Sequence, residues 1–329
     1  MYREELTVGV FRPEDAEGVA ELFTGIYGDS YPAKIVYNPD QLVRAFENRD
    51  QIPIVVRTPD NRIVGYSSLF RVAPDKGVYE KGNGAVAMDF RNYGVMNMIF
   101  RYVKEMLPGI IDIKAFFGEP VCNHIYIQKS ALSNLPFIET AIEIDLMPAD
   151  AYEKEKSASG RVSTLPMFIT VIPKPHIVHI PEMYKEYLGY IYEGLDDRRS
   201  FSLSEDNLPP SLQTRIDTEI FDFAQVARMT IHETGSDLER VFVSEEQRIL
   251  SLNIEVIQVW LKLSWPWIDR VAALLKNNAY FFGGMFPQWF GEDGLFMQKI
   301  LSQPNWEGIH LFSERAKKIL QFVKADWQR

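Results

Sequence analysis

The sequence predicts an α/β (α+β) chain built as two units. Three observations carry this: strand-like and helix-like apolar stretches alternate along the chain, the 329 residues are enough for two cores, and one charged break lies near the middle. With 46% hydrophobic and 24% charged residues, the composition supports packed cores and excludes a wholly disordered or collagen-like chain. The break is ADAYEKEKSASGRVSTLP, residues 149–166, where charged and small residues replace an apolar pattern. It reads as a linker, with Glu153-Lys154-Glu155-Lys156 solvated, between units at 1–148 and 167–329.

Taken in order, residues 6–11 form a short apolar strand, and Pro13, followed by Glu14 and Asp15, opens a helix. Val19, Leu22, Phe23 and Ile26 recur at i, i+3, i+4 and i+7 and give that helix one apolar stripe. A second helix spans about 40–48, and 52–57 and 62–72 form a hairpin around Thr58-Pro59-Asp60-Asn61. Residues 82–88 read as a strand running into Asp89-Phe90-Arg91-Asn92-Tyr93-Gly94. From Val95 a helix carries Val95, Met98, Ile99, Tyr102 and Met106 on one face. Strand 110–118, helix 127–134 and strand 137–147 complete the order β α α β β β α β α β.

Charge and cysteine usage narrow the functional classes. Lys and Arg number 35 against 45 Asp and Glu, a net charge of −10, which argues against a nucleic-acid partner. The single cysteine, Cys122, allows no intrachain disulfide and no cysteine-rich zinc site, and fits a reducing compartment. The opening MYREELTVGVFRPED lacks the apolar core of a secretory leader, and no run approaches the roughly 18 apolar residues of a membrane span. A cytoplasmic protein with no membrane contact is expected. His176 and His179 are three apart in an extended segment and point to opposite faces, so no metal site is expected.

The strand entering a helix through Arg91-Asn92-Tyr93-Gly94-Val95-Met96, with the element order around it, resembles the GCN5-related N-acetyltransferase superfamily over most of residues 8–147. Members bind acetyl-CoA at Arg or Gln, two variable residues, Gly, one variable residue, then Gly or Ala. Free N–H groups at a helix start face the pyrophosphate there, glycine permits close approach, and Arg91 adds a charge-assisted contact. Arg62-Ile63-Val64-Gly65 and Gln288-Trp289-Phe290-Gly291 match the same pattern, but only Gly94 follows a strand and opens an amphipathic helix. Met96 stands where the family prefers Gly or Ala.

Gly118-Glu119-Pro120-Val121-Cys122-Asn123-His124 and Asn134-Leu135-Pro136-Phe137 resemble the family's late strand and the turn after its helix. The resemblance implies a mixed, mostly antiparallel central sheet flanked by helices, with the pantetheine arm threaded between two diverging strands. The implied cofactor-contacting residues are Val86, Met88, Arg91, Asn92, Tyr93, Gly94, Val95, Met96 and Asn123.

The second half repeats the plan faintly. Val178-His179-Ile180-Pro181-Glu182 matches Val10-Phe11-Arg12-Pro13-Glu14, and Asn277-Asn278-Ala279-Tyr280-Phe281-Phe282 matches the turn at 134–137. Strands are expected at 214–223, 225–233 and 255–263, and helices at 236–252 and 267–276. This resembles a tandem acetyltransferase whose second copy is degenerate. At its helix start, Ser236 or Asp237 caps and carboxylates fill the first turn, so no CoA is expected there. Trp260, Trp265, Trp267, Trp289 and Trp306 read as core and interface.

Acetyl transfer to an amine needs a base, donors to the thioester carbonyl and an acid for the thiolate. Glu80 and Glu119 are the candidate bases if partial burial raises their pKa, with solvated carboxylates as the alternative. Tyr126 is the candidate acid, with a packed surface tyrosine as its alternative, and the tyrosine such proteins place before the late turn is replaced by Leu132 and Ser133. Cys122, two residues from His124, is either an acyl-accepting nucleophile or a small buried hydrophobe. The resemblance implies acetyl-CoA as cosubstrate without a metal, a small-molecule or peptide amine as acceptor, and leaves a homodimer open. The alternatives are a degenerate CoA-binding sensor or scaffold, favoured by Met96, and an interaction module using the second-half aromatics.

Overall fold

In the computed structural model, residues 6–106, 109, 113–149, 160–195, 198–204, 207–210 and 213–329 are described. The first half runs β1 (Thr7–Val10), α1 (Ala16–Tyr27) after a 3-10 turn at Pro13–Asp15, α2 (Pro39–Glu47), β2 (Gln51–Arg57), β3 (Ile63–Arg71) and β4 (Val78–Val86). It continues through α3 (Val95–Met106), β5 (Ala115–Gly118), α4 (Tyr126–Asn134), β6 (Ile138–Glu139), β7 (Glu143–Pro148), β8 (Arg161–Thr164) and β9 (Met167–Thr170). The sheet order is β1-β2-β3-β4-β5-β9-β6, and only β4 and β5 pair in parallel.

Strands β2 and β3 are buried along most of their length because helices cover both faces of the sheet. On one face Phe23 of α1 meets Tyr66 edge-on at 5.3 Å. On the other, a Cβ on Gly65 would sit 2.4 Å from Val95 Cγ1, so only glycine lets α3 lie this close. Asn38 caps α2 by accepting from Gln41 N at 3.0 Å, with Pro39 at the first helical position.

The second half runs β10 (His176–Ile180), α5 (Lys185–Tyr192), β11 (Arg199–Leu203), β12 (Arg215–Phe221), β13 (Val226–Glu233) and α6 (Leu238–Leu250). It ends with β14 (Val256–Lys262), α7 (Ile268–Asn277), β15 (Phe281–Phe286), β16 (Gly294–Ile300) and α8 (Glu314–Trp327). Its main sheet has the order β12-β13-β14-β16-β15, with β13 and β14 parallel and the other pairs antiparallel. This is the first sheet's β3-β4-β5-β9-β6 step for step, with α6 and α7 standing where α3 and α4 stand. The chain is therefore mixed α/β, with mostly antiparallel sheets flanked by helices, and the two halves share one plan. The strand pair β10–β11 lies apart and is parallel.

Several boundaries differ from the sequence reading. The expected linker at 149–166 includes β8, and Met167–Thr170 inserts between β5 and β6, so the first sheet closes only after Thr170. Val162, Thr164 and Ile169 supply the strand preference that Gly160 and Ser163 obscured. Residues 150–159, including Glu153-Lys154-Glu155-Lys156, lie outside the described residues. The strand expected at 82–88 begins at Val78 and gives way to a 3-10 turn at Met88–Phe90. The strand expected at 137–147 breaks at 140–142, because those residues turn to pair with the other half.

There Ile142 N donates to Gly283 O at 2.8 Å and Met285 N to Thr140 O at 3.0 Å. A Cβ on Gly284 (φ +134) would lie 2.3 Å from Thr140 O, so glycine permits the two sheet edges to meet. Buried Gln298 completes the joint, accepting from Ile144 N at 2.8 Å and donating to Ile142 O at 2.9 Å. Beside it the sheets pack through a buried aromatic cluster: Phe117 and Phe168 from the first half, and Trp260, Phe286, Trp289 and Phe296 from the second.

Candidate functional site

The parallel pairing of β4 with β5 covers Val78↔Ala115, Tyr79↔Phe116 and Glu80↔Phe117. Beyond it the strands separate, and residues 81–86 pair with β3 alone among the described residues, with a register shift between Tyr66 and Ser68. The fork opens toward the start of α3. Asn92 (φ +70) and Gly94 (φ +76) turn the chain there, leaving the first-turn N–H groups of α3 without carbonyl partners inside the helix. A cavity of about 240 Å³ lies against this turn, lined by Tyr93, Gly94, Asn97, Met98 and Arg101. The helix dipole and Arg101 suit it to an anion.

The rival matches to the Arg-x-x-Gly pattern have other uses. Arg62 binds Asp89 at 2.7 Å and steadies the loop before α3, while Gly65 gives α3 its room. Gln288 (φ +54) and Gly291 (φ +77) form a tight turn closed by Gly291 N to Gln288 O at 2.8 Å.

At the fork's base lies a cluster of charges from both halves. Half-buried Glu80 is pushed up to about 7 by burial, with Arg228 pulling it down and Glu143 pushing it up. Glu119, also half-buried, is raised well above the carboxylate range by burial, by Glu143 and Glu80, and by a hydrogen bond shared with Glu143. Glu143 on β7 is fully buried and accepts from Thr164 Oγ1 at 2.6 Å and from Gln258 Nε2 at 2.8 Å. Arg228 Nη2 of β13 stands 3.8 Å from Glu143 Oε1, and its Nε donates to Gln258 Oε1 at 2.8 Å. Burial alone would lower the Arg228 pKa, but Glu119, Glu143, Glu80 and Glu219 outweigh it and hold the guanidinium above its ordinary value.

Glu80 and Glu119 thus share one charge cluster, and both have the raised pKa that was the condition for either to act as a base. Tyr126 is 78% exposed on the first turn of α4 with its ring 5.4 Å from that of His124. Val86 is half-buried at the end of β4, Met88 is exposed, and Arg91 and Asn123 are half-buried. The Met96 thioether lies against the open edge of β4, its Cε 3.0 Å from where a Cβ on Gly84 would be. Cys122 is buried, and burial, with Glu143 adding, keeps its thiol protonated, against a nucleophilic role.

Sequence reasoning missed Glu143, Arg228, Gln258 and Lys81. A lone polar residue inside an apolar strand run, as in VARMTI and VIQVWL, is the signal that marks Arg228 and Gln258. Lys81 faces α3, opposite to Glu80. Its Nζ donates to Ser67 Oγ at 3.2 Å and sits 4.0 Å from the Phe100 ring centre, and burial lowers its pKa to about 7.

The turn before the second half's helix start is tied by its own side chains. Trp267 Nε1 donates to Thr234 Oγ1 at 2.7 Å, and Gly235 N donates to Thr214 Oγ1 at 3.0 Å. Asp237 precedes α6, but its side chain accepts from Thr214 N at 2.9 Å rather than capping the helix as expected. Trp260, Trp265 and Trp289 are buried, as core and interface residues are. His176 and His179 serve no metal group among the described residues; His176 Nε2 lies 3.2 Å from buried Asp293. No described helix is long and apolar enough to cross a membrane.

No protein-family model matches the chain, and no curated protein does. Among solved structures, spermidine/spermine N-acetyltransferase SpeG from Vibrio cholerae in complex with manganese ions is 12% identical at a TM-score of 0.40, covering 51% of this chain and 94% of that one. Ribosomal-protein-S5-alanine acetyltransferase from Vibrio fischeri is 12% identical at 0.40, covering 50% and 93%. A dodecameric spermidine N-acetyltransferase from Vibrio cholerae gives 12%, 0.40, 51% and 94%. Each match spans about half of this chain.

Proposed function

We propose that the chain is a CoA-dependent N-acyltransferase of the GCN5-related superfamily, moving the acetyl group of acetyl-CoA to a small-molecule or peptide amine by direct attack. The observation that carries this reading is the pair Glu80 and Glu119, held with raised pKa values where β4 and β5 part, one strand-length from an open helix start. The helix start supplies N–H donors, Arg91 and Arg101 to the pyrophosphate, and Val86, Met88 and Asn123 flank the path between the strands. Glu80, lifted to about 7, accepts the amine proton near neutral pH, where a base is most effective. Tyr126 is retained as the acid for the departing thiolate.

A second reading, a CoA-binding sensor without turnover, draws on Met96, whose thioether lies in the path along Gly84. Adding acetyl-CoA at 100 times its Kd is expected to raise stability by about 2.7 kcal/mol, read as a thermal shift. No shift at millimolar ligand contradicts both readings. If the shift is seen, thiol release over a panel of amines separates them: release supports the transferase, and its absence across the panel supports the sensor.

A further inference from the structure

We propose that the second half completes the carboxylate site of the first: Arg228, braced by Gln258, is a positioning residue that keeps Glu143 ionised, so that the shared proton rests on Glu119 and Glu80 is left as the base. The role of Glu80 as base rests on the transferase reading; the placement of the proton does not.

Three carboxyl groups gathered in one buried place cannot all ionise without an opposite charge. Glu143 receives hydrogen bonds from the hydroxyl of Thr164 at 2.6 Å and the amide of Gln258 at 2.8 Å, and the guanidinium of Arg228 lies 3.8 Å away. Arg228 and the Gln258 NH2 offer Glu143 only donors, which suits a carboxylate, an acceptor only, and in the proposal the proton of the hydrogen bond between the two carboxyls then lies on Glu119. Arg228 also fixes the orientation of Gln258. A guanidinium has only donors, so the Gln258 oxygen must face Arg228 Nε, at 2.8 Å, and its NH2 must face Glu143.

Arg228 is held by its own sheet. Its guanidinium carbon lies 5.2 Å from the Phe221 ring centre on β12 and 5.7 Å from that of Trp260 on β14. The ionisable groups facing the cluster are Glu80 on β4, Glu119 beyond β5, Glu143 on β7, Glu219 paired opposite Arg228 on β12, and the Cys122 thiol near Glu143. Arg228 is the cation that draws both Glu80 and Glu119 downward. It is supplied by a strand that belongs to the other half of the chain.

The test uses the full chain labelled with 13C at the glutamate side-chain carboxyl. NMR follows the carboxyl titration in the wild type, Arg228→Met and Arg228→Lys. Arg228→Met is expected to move the highest-titrating carboxyls up by about one pH unit or more, and Arg228→Lys to restore most of that shift. The acid limb of the acetyl-transfer pH profile should move with them while acetyl-CoA affinity stays unchanged. An unmoved titration overturns the proposal, as does a loss of acetyl-CoA affinity equal to the loss of rate, which would make Arg228 a ligand contact. If Arg228→Met does not fold, Gln258→Met keeps the cation and removes the brace. A smaller upward shift supports the proposal and none overturns it. If the wild type transfers no acetyl group, the transferase reading fails while the titration still decides the role of Arg228.

Discussion

The two parallel forks of this chain, β4 with β5 and β13 with β14, have the same place in the same sheet order and opposite contents. The first pairs over three residues and then opens on a helix start with a cavity beside it. The second pairs over five, and the turn before its helix is tied by Thr214, Thr234 and Trp267. One plan has thus yielded one strand-to-helix turn with a cavity against it and one tied by side-chain hydrogen bonds. The difference lies in side chains at the strand-to-helix turn, where Thr214, Thr234 and Trp267 bond in the second half and Tyr93, Asn97 and Arg101 line a cavity in the first. The second half faces the first, to which it gives Phe286 and Trp289 as packing and Arg228 as charge.

The largest expected effect breaks the seam between them. Trp289→Ala removes the ring that meets Phe117 of the first half edge-on at 5.6 Å and is expected to cost about 3–5 kcal/mol, read by urea unfolding. A loss under about 1 kcal/mol would mean the halves do not depend on that cluster. Gly284→Ala, with a Cβ forced to 2.3 Å from Thr140 O at φ +134, is expected to cost about 2–4 kcal/mol in the same assay.

The next contrast is between the helix starts. Arg91→Ala is expected to weaken acetyl-CoA by roughly tenfold, the loss of one charge-assisted contact. Asp237→Ala, at the closed end, is expected to leave that affinity unchanged. Titration calorimetry on both variants tests this, and equal effects would contradict the assignment.

Two buried acid clusters give a further contrast, in the sign of their pH dependence. Glu80 is raised to about 7 from an ordinary 4.5, and Glu119 is raised too, so the folded chain binds more protons than the unfolded one between those values. Their stabilising effect is therefore present below about pH 4.5 and is lost as pH rises through about 7. Asp293 has the reverse sense: burial raises it, but His176 and Arg199 outweigh burial and hold it at about 2. Its contribution is present above 3.8 and is lost as pH falls toward about 2. Glu119→Gln is expected to raise the melting temperature at pH 8 by about 2–4 °C and to leave it unchanged at pH 4. A uniform change at both pH values would mean the carboxyl is not held protonated.

Much of the fold was legible where periodicity is local. The stripe that places Val95 and Ile99 toward the sheet is buried, as are Val19, Leu22 and Phe23 of α1. The end of the first sheet was not legible, since Met167–Thr170 finds its partners in β5 and β6, about 30–50 residues back, and Ser163 and Gly160 read as loop. Glu80 and Glu119 were legible as candidates for burial beside the fork because the strands flanking it were the place to look, and both are raised there. Arg228 and Gln258 were not, because the contact that gives them meaning spans more than 80 residues and depends on how the two sheets pack.

The central claim, that one of two like forks keeps a ligand site, is tested most directly by calorimetric titration of the full chain with acetyl-CoA. One site per chain, weakened by Arg91→Ala, is the predicted result. Two sites, or none at millimolar ligand, would contradict it.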